Sequence, residues 1–135
     1  MSTIKKFEDI IAWQKSRDLV KFVYELTKLP EFNRDYKFID QIRSSSGSIM
    51  DNIAEGFERG GNKEFIQFLF IAKGSLGEVK SQLYRALDQN YIDKVQFSRA
   101  YSNSEEIGSL IGGLINYLSN SEFKERNIVF NILEP

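Results

Sequence analysis

Between residues 65 and 86, apolar side chains recur at alternating intervals of four and three residues. The residues that follow this spacing are Phe65, Leu69, Ala72, Leu76, Val79, Leu83 and Ala86. Positions three and four apart lie on one face of an α-helix, so the spacing predicts a helix with one continuous apolar seam. Such a seam needs partner helices to cover it, because helical stability in proteins comes mostly from packing an apolar face.

Three other segments have helical spacing, and we predict helices over residues 8–29, 35–59, 63–89 and 94–119. The inward positions of the second are Ile39, Ile42, Ser46, Ile49, Ile53 and Phe57. Those of the fourth are Phe97, Tyr101, Ser104, Gly108, Ile111, Ile115 and Leu118. Asn62 is predicted to cap the third helix, Asp93 and Gln96 to form a capping box, and Gly60-Gly61 to end the second helix.

Four helices joined by short connections predict an all-α fold, an antiparallel up-and-down four-helix bundle. The chain of 135 residues has the usual length of a single domain, which we place at residues 1–120. Residues 121–135 form a tail whose segment 127–133 reads Asn-Ile-Val-Phe-Asn-Ile-Leu. That segment is too apolar for a solvated end, so we expect it to pack on protein.

The chain contains no cysteine and no histidine. This composition excludes disulfides, thiolate nucleophiles, histidine bases and ordinary zinc sites. We predict no catalytic, cofactor or metal residues, and therefore no enzyme. The start of the chain lacks the apolar run of a signal peptide, and no stretch has the length of a membrane span, so we expect a cytoplasmic protein.

Polar residues follow the predicted second and third helices as two stripes. The first stripe is Gln41, Ser48, Asn52, Glu55 and Arg59, and the second is Ser75, Glu78, Gln82 and Arg85. They are consistent with solvated surface, with a hydrogen-bonded network between the helices, or with the lining of a site. General acid–base catalysis by Glu55 and Glu78 would need a pocket that the sequence does not indicate.

A basic stripe lies on the first helix, where Arg17, Lys21 and Lys28 fall within about 40° of one another. Tyr24 shares this face, and basic residues next to an aromatic ring are typical of nucleic-acid binding. Asp18 and Glu25 flank the stripe, so a plain solvated face is the other interpretation. The formal net charge of −1 and the pI of about 5.6 provide no overall attraction for nucleic acid.

The first and third helices carry more apolar residues than one buried face requires. Trp13, Ile66 and Phe70 are candidates for an oligomer interface, the alternative being a wide core with a few exposed apolar groups. Small residues also occur in mid-helix at Gly47, Gly74, Gly77, Gly112 and Gly113. Each such glycine costs about 1 kcal/mol relative to alanine, and close approach of neighbouring helices is the expected reason.

Several segments resemble a known family. They are Phe7 to Lys15, Gln41-Ile42-Arg43, Ser48-Ile49, Asn52-Ile53-Ala54-Glu55-Gly56, Glu64-Phe65 and Ile71 to Glu78. Their order and spacing resemble the four-helix-bundle proteins encoded in intervening sequences of bacterial 23S ribosomal RNA genes, and the resemblance covers residues 7–118. The residues that we take as the family motif are Asn52 to Gly56 and Glu78. We predict that their role is structural.

The resemblance implies a four-helix bundle that often assembles as a homopentamer. The family is similar in fold to the accessory variability proteins of diversity-generating retroelements, which bind nucleic acid and a reverse transcriptase through basic surfaces. The resemblance therefore implies Arg43 as a further candidate for nucleic-acid binding, although Ser44 stands where family members often have a second basic residue. The expected function is a non-catalytic homo-oligomeric scaffold or adaptor that engages nucleic acid or a nucleic-acid enzyme. The alternative is a protein–protein interaction module with no role in nucleic-acid binding.

Overall fold

The computed structural model describes residues 4–121 and contains four long helices. These are α1 (Ile11–Thr27), α2 (Tyr36–Glu58), α3 (Asn62–Asp88) and α4 (Lys94–Asn120). Each helix packs against the helices before and after it in the chain, and α4 closes back onto α1. This arrangement confirms the predicted antiparallel four-helix bundle, and the described residues contain no strand.

The first helix begins later than the spacing of its apolar residues predicts. A short 3₁₀ turn covers Phe7–Asp9, Ile10 is extended, and the α-helix begins at Ile11 without a side-chain cap. The apolar residues of this turn still serve the core, because Ile10 is buried and the ring of Phe7 packs edge-on against Trp13 at 5.1 Å. A sequence pattern cannot separate such a turn from the helix that follows it.

The core is built on the seam of α3, all seven residues of which are buried as predicted. The six inward positions of α2 are also buried. On α4 the prediction is partly wrong, because Phe97, Tyr101, Gly108 and Ile115 are only half-buried. The buried row is instead Ala100, Ser104, Ile107, Ile111, Leu114 and Leu118.

Two helix ends match the predicted signals and one does not. Asp93 and Gln96 form the capping box of α4, with the Gln96 N–H donating to Asp93 at 2.7 Å. Gly60 ends α2 with a φ of +92°, a conformation that favours glycine. Asn62 does not cap α3, since Gly61 holds that position. The Asn62 amide instead donates to the carbonyl of Ser121 at 3.1 Å.

Asp35 closes the end of the bundle opposite to Asn62 and Ser121. It links the connection between α1 and α2 to the connection between α3 and α4. One of its carboxylate oxygens accepts the N–H of Phe38 at the start of α2, and the other accepts the hydroxyl of Tyr91 at 2.8 Å. This bond raises the pKa of Tyr91 above its ordinary value, because the neutral phenol is the donor. The rings of Phe32, Phe38 and Tyr91 stack beneath it. The predicted packing of the tail concerns residues 122–135, which lie outside the described range.

Candidate functional site

The two polar stripes face each other across the α2/α3 contact and line a groove of about 420 Å³. Its lining consists of Gln41, Ser44, Ser45, Ser48, Ser75, Glu78, Ser81, Gln82 and Arg85. Of the residues in the predicted stripes, Asn52, Glu55 and Arg59 do not line it. The stripes therefore combine two of the predicted interpretations, since their members bond across the helix contact and also border open space.

Three side-chain pairs cross this contact. The Ser75 hydroxyl donates to the Ser48 hydroxyl at 2.9 Å. Gln82 donates from its amide nitrogen to the Ser45 hydroxyl at 3.1 Å, and Arg85 reaches the Gln41 side-chain oxygen at 3.5 Å. Neutral groups can be buried at low cost when they are hydrogen-bonded, so the Ser75–Ser48 and Gln82–Ser45 pairs help to set the register of α2 and α3, whereas Arg85 and Gln41 are exposed.

The orientation of the Gln82 amide follows from its neighbour. The Ser45 hydroxyl donates its own proton to the carbonyl of Gln41 at 2.9 Å, so it can only accept from Gln82. The nitrogen of Gln82 must therefore point at Ser45, and its Oε1 points elsewhere. Gln82 is 4% exposed, and within residues 4–121 this buried Oε1 has no hydrogen-bond partner.

The motif residues on α2 divide between the core and the surface. Ile53 is buried in the core, whereas Ala54 is half-buried. Asn52 donates to the carbonyl and hydroxyl oxygens of Ser48, at 2.8 and 2.9 Å, and so joins the network. Glu55 pairs with Arg59 on the exposed side.

Gly56 packs directly against Phe68 of α3. A Cβ built on Gly56 would lie 2.6 Å from the Cβ of Phe68, so this position has no room for a side chain. Glu78, the motif residue on α3, is exposed and borders the groove without an ion-pair partner in the described chain. Thus Glu55 and Glu78 have different surroundings, and no contact makes them a pair of catalytic carboxylates.

A second groove, of about 340 Å³, lies between α1 and α4. Its lining includes the cations Lys15, Lys21 and Arg99, and also Asp18, Glu25 and Glu106. Lys15 lies 3.5 Å from Glu106, but no carboxylate of residues 4–121 pairs with Lys21 or Arg99. The guanidinium of Arg99 is held 3.9 Å from the centre of the buried Phe22 ring, a geometry that orients the cation without neutralising it.

The predicted nucleic-acid residues are not brought into one pocket. Lys21 borders the α1/α4 groove, whereas Lys28 and Arg43 border a different one between α1 and α2. Arg43 donates two hydrogen bonds to the Thr27 hydroxyl and stacks 4.3 Å from the Tyr24 ring centre, so it ties α2 to α1. Arg17 is exposed near Trp13.

Arg99 was not predicted as a site residue, because its partner Phe22 lies far away in sequence. Its spacing to Asn103 and Glu106 places all three on one face of α4, and that was the available signal.

The predicted interface residues also differ from one another. Trp13 and Ile66 are half-buried and pack against the core, while Phe70 is 55% exposed. The close approach expected for mid-helix glycines is wrong for the part of the chain that the structure describes. There, a Cβ at Gly47, Gly74, Gly77, Gly112 or Gly113 would meet no atom within 4 Å.

Two of these glycines, Gly74 and Gly77, lie exposed on the outer side of α3, and we call them with Tyr84 the glycine face. Tyr84 is 50% exposed, and its ring packs on Phe97 and Tyr101 of α4, at 4.8 and 5.6 Å. The neighbouring Tyr101 phenol raises the pKa of Tyr84, through its charge and a hydrogen bond. The glycine face is thus flat at its centre and aromatic at one end.

Within residues 4–121, no three acidic side chains cluster closely enough to hold a metal ion. None of the described helices has the length and apolar character needed to cross a bilayer.

Comparison with known proteins identifies the family. The sequence model of the 23S rRNA-intervening sequence protein family matches residues 8–113. The chain belongs to this family. A solved structure from the S23 ribosomal protein family of Bacteroides thetaiotaomicron VPI-5482, described as a protein of unknown function, shares 26% identity. It superimposes with a TM-score of 0.71 over 78% of this chain and 98% of its own. A search of the curated proteins finds no match.

These comparisons support the bundle fold of this chain, and neither of the two matches is described with an activity. The matched range includes the motif on α2 and the residues of α2 and α3 that line the groove of about 420 Å³, and it ends within α4.

Proposed function

We propose that this protein is a non-catalytic scaffold that assembles with copies of itself through the glycine face of α3. The observation that carries the proposal is the open space around Gly74 and Gly77. Glycine in mid-helix lowers helix stability by about 1 kcal/mol, and no contact within residues 4–121 explains it here. Close approach of a helix from another copy would make use of both positions, with the exposed Tyr84 as an aromatic anchor.

The family resemblance supports more than one copy, and it implies five. A closed ring of identical contacts would satisfy the glycine face of every subunit without forming filaments. It would also repeat the cations of the α1/α4 groove once per subunit. Of the residues predicted for an interface, only Phe70 is largely exposed, so the proposal places the contact further along α3 than predicted.

Replacing Gly77 with leucine should abolish assembly and leave the single subunit folded. A Cβ at Gly77 meets no atom of residues 4–121 within 4 Å, and a leucine there would hold apart two helices that approach at this point. Leucine also favours the helix by several tenths of a kcal/mol or more relative to glycine. Sedimentation equilibrium at micromolar concentration should show an oligomer for the unmodified chain and a species of 15.6 kDa for Gly77→Leu.

Gly47→Leu is the matched control, because Gly47 has similar open space on α2. It should leave the oligomer intact. An unmodified chain that remains at 15.6 kDa up to high concentration would refute the proposal.

A nucleic-acid role for the assembly is favoured by the α1/α4 groove. Arg99 is held by Phe22 with its donors free of any carboxylate in residues 4–121, and Lys21 lies in the same groove. Guanidinium and ammonium groups in this state suit phosphate oxygens. The groove also carries three carboxylates, so the contact would add a few phosphate interactions per subunit and not a uniformly positive surface.

Titration with a structured RNA at two salt concentrations tests this role. Phosphate contacts make affinity fall steeply with salt, by about 0.7–0.9 in the logarithmic slope for each contact. Arg99→Gln should weaken binding and flatten that slope, whereas Arg34→Gln, which removes the same charge from an exposed connection, should change neither. If Arg99→Gln changes neither the RNA affinity nor its salt dependence, a protein–protein interaction module is the better description of this protein.

A further inference from the structure

Large apolar side chains are exposed on the first turns of α3. Phe70 is 55% exposed and Ile71 is 52% exposed, and Ile66 lies half-buried one turn before Phe70. We call these three residues the entrance patch. Because Phe70 and Ile71 adjoin each other and Ile66, they offer an apolar surface on which another segment could pack.

The chain leaves the bundle beside this patch. Helix α4 ends at Asn120, and the carbonyl of the next residue, Ser121, accepts the Asn62 amide at 3.1 Å. Asn62 is the first residue of α3, so this hydrogen bond fixes the start of the tail next to the start of α3. The tail therefore sets out within a short distance of the entrance patch.

The length of the tail suits the patch. Phe70 is eight residues along α3 from Asn62, which at 1.5 Å per residue is about 12 Å. Residues 122–127 can span about 20 Å when extended. The apolar part of the tail, which begins at Ile128, can therefore reach Phe70 with chain to spare.

The composition of the tail changes at the same point. Residues 122–127 include four charged side chains, Glu122, Lys124, Glu125 and Arg126, and suit a solvated connection. Residues 128–133 then supply Ile128, Val129, Phe130, Ile132 and Leu133. A connection this short gives the segment a local concentration near the patch in the millimolar range, which favours the same chain over a second copy.

We propose that residues 128–133 pack on the entrance patch of their own chain. This contact covers Phe70 and Ile71, so it excludes them from the surface that copies of the protein share. The contact does not depend on self-assembly, because both of its parts belong to one chain.

Disulfide trapping tests the contact cleanly, because the natural chain has no cysteine. Gln67, an exposed residue between Ile66 and Phe70, is changed to cysteine together with Asn131→Cys in the tail. A disulfide forms only when the two Cβ atoms come within about 4.5 Å. The control pair is Ser109→Cys with Asn131→Cys, since Ser109 is exposed on α4 about 18 Å from Ser121 and the extended tail can reach it as well.

The expected result is an intrachain disulfide that forms several-fold faster for the Gln67 pair than for the Ser109 pair. Adding Phe70→Ser and Ile71→Ser should bring the rate down to that of the control, whereas adding Tyr36→Ser, at a residue 77% exposed elsewhere, should not. Equal rates for the two pairs would overturn the proposal. So would a disulfide between two chains, which would place the tail on a second copy.

Discussion

Across the α2/α3 contact, hydroxyl and amide groups bond directly to one another, whereas across the α1/α4 contact the polar groups are charged and mostly stay apart. Ser48 with Ser75, and Ser45 with Gln82, are direct pairs between α2 and α3. Between α1 and α4, Lys15 and Glu106 lie 3.5 Å apart, and Arg99 contacts a ring instead of a carboxylate.

Desolvation explains the contrast. A neutral hydroxyl loses little on burial once it has a partner, but a charged group loses far more and remains near water. The α2/α3 contact can therefore hold directly paired polar groups that fix its register. The α1/α4 contact keeps its cations available to a ligand from outside, so we expect stability to depend on the first and binding on the second.

The largest stability effect should come from Gly56→Ala, at the point where α2 packs tightly against Phe68 of α3. The new Cβ would lie 2.6 Å from the Cβ of Phe68, so the helices must move apart. Overpacking of this kind costs about 1–3 kcal/mol, which exceeds the gain in helix propensity. Urea unfolding followed by circular dichroism measures the loss. Gly47→Ala, in open space on the same helix, should be neutral or stabilising by up to about 1 kcal/mol, and equal results for the two would break the comparison.

The next effect concerns the buried network. Ser45→Ala removes the acceptor of the Gln82 amide nitrogen, and a buried donor without a partner costs about 1–3 kcal/mol. Gln82→Met keeps the volume and removes both the donor and the Oε1 that has no partner in residues 4–121, so adding it should recover the loss. Urea unfolding of both single variants and the double variant forms a thermodynamic cycle. Simple additivity would show that the pair is not coupled.

The smallest effect should come from the α1/α4 contact. Lys15 and Glu106 are 42% and 44% exposed, and exposed ion pairs contribute about 0–1 kcal/mol. Lys15→Ala should therefore change the free energy of unfolding by less than about 0.5 kcal/mol, and 0.5 M salt should remove most of that change. If Lys15→Ala lowered the free energy of unfolding as much as Ser45→Ala, the α1/α4 and α2/α3 contacts would contribute equally to stability, contrary to the comparison.

The sequence was sufficient to predict what lies within one helix. The seam of α3 could be predicted because its seven residues keep one unbroken four-three spacing from Phe65 to Ala86, although Ile66 and Phe70 lie outside it. On α4, apolar residues fill two neighbouring rows with the same period, so spacing alone could not choose between Phe97 and Ala100 or between Ile115 and Leu114. The structure buries the second of each pair, because that row faces the other helices.

Contacts between distant residues were beyond prediction for a different reason. A helical period shows that a glycine is present, but not whether a neighbour stands opposite it. Gly56 is tightly packed and Gly74 is open, although both occupy mid-helix positions. Likewise, the position of Arg99 against Phe22 depends on how α4 is rotated against α1, which no local pattern specifies.

The serine and glutamine pairs between α2 and α3 also have a mechanical consequence. Sliding one helix past the other by a single turn, about 5.4 Å, would break all of these hydrogen bonds at once. We therefore expect α2 and α3 to move together as one rigid unit. Helix α1 is joined to α2 by Arg43, which donates two hydrogen bonds to the Thr27 hydroxyl. A load on the outer side of α3 would therefore be shared with α2. The charged groove between α1 and α4 lies outside this pair of helices, so a ligand that enters it would not need to break the α2/α3 hydrogen bonds.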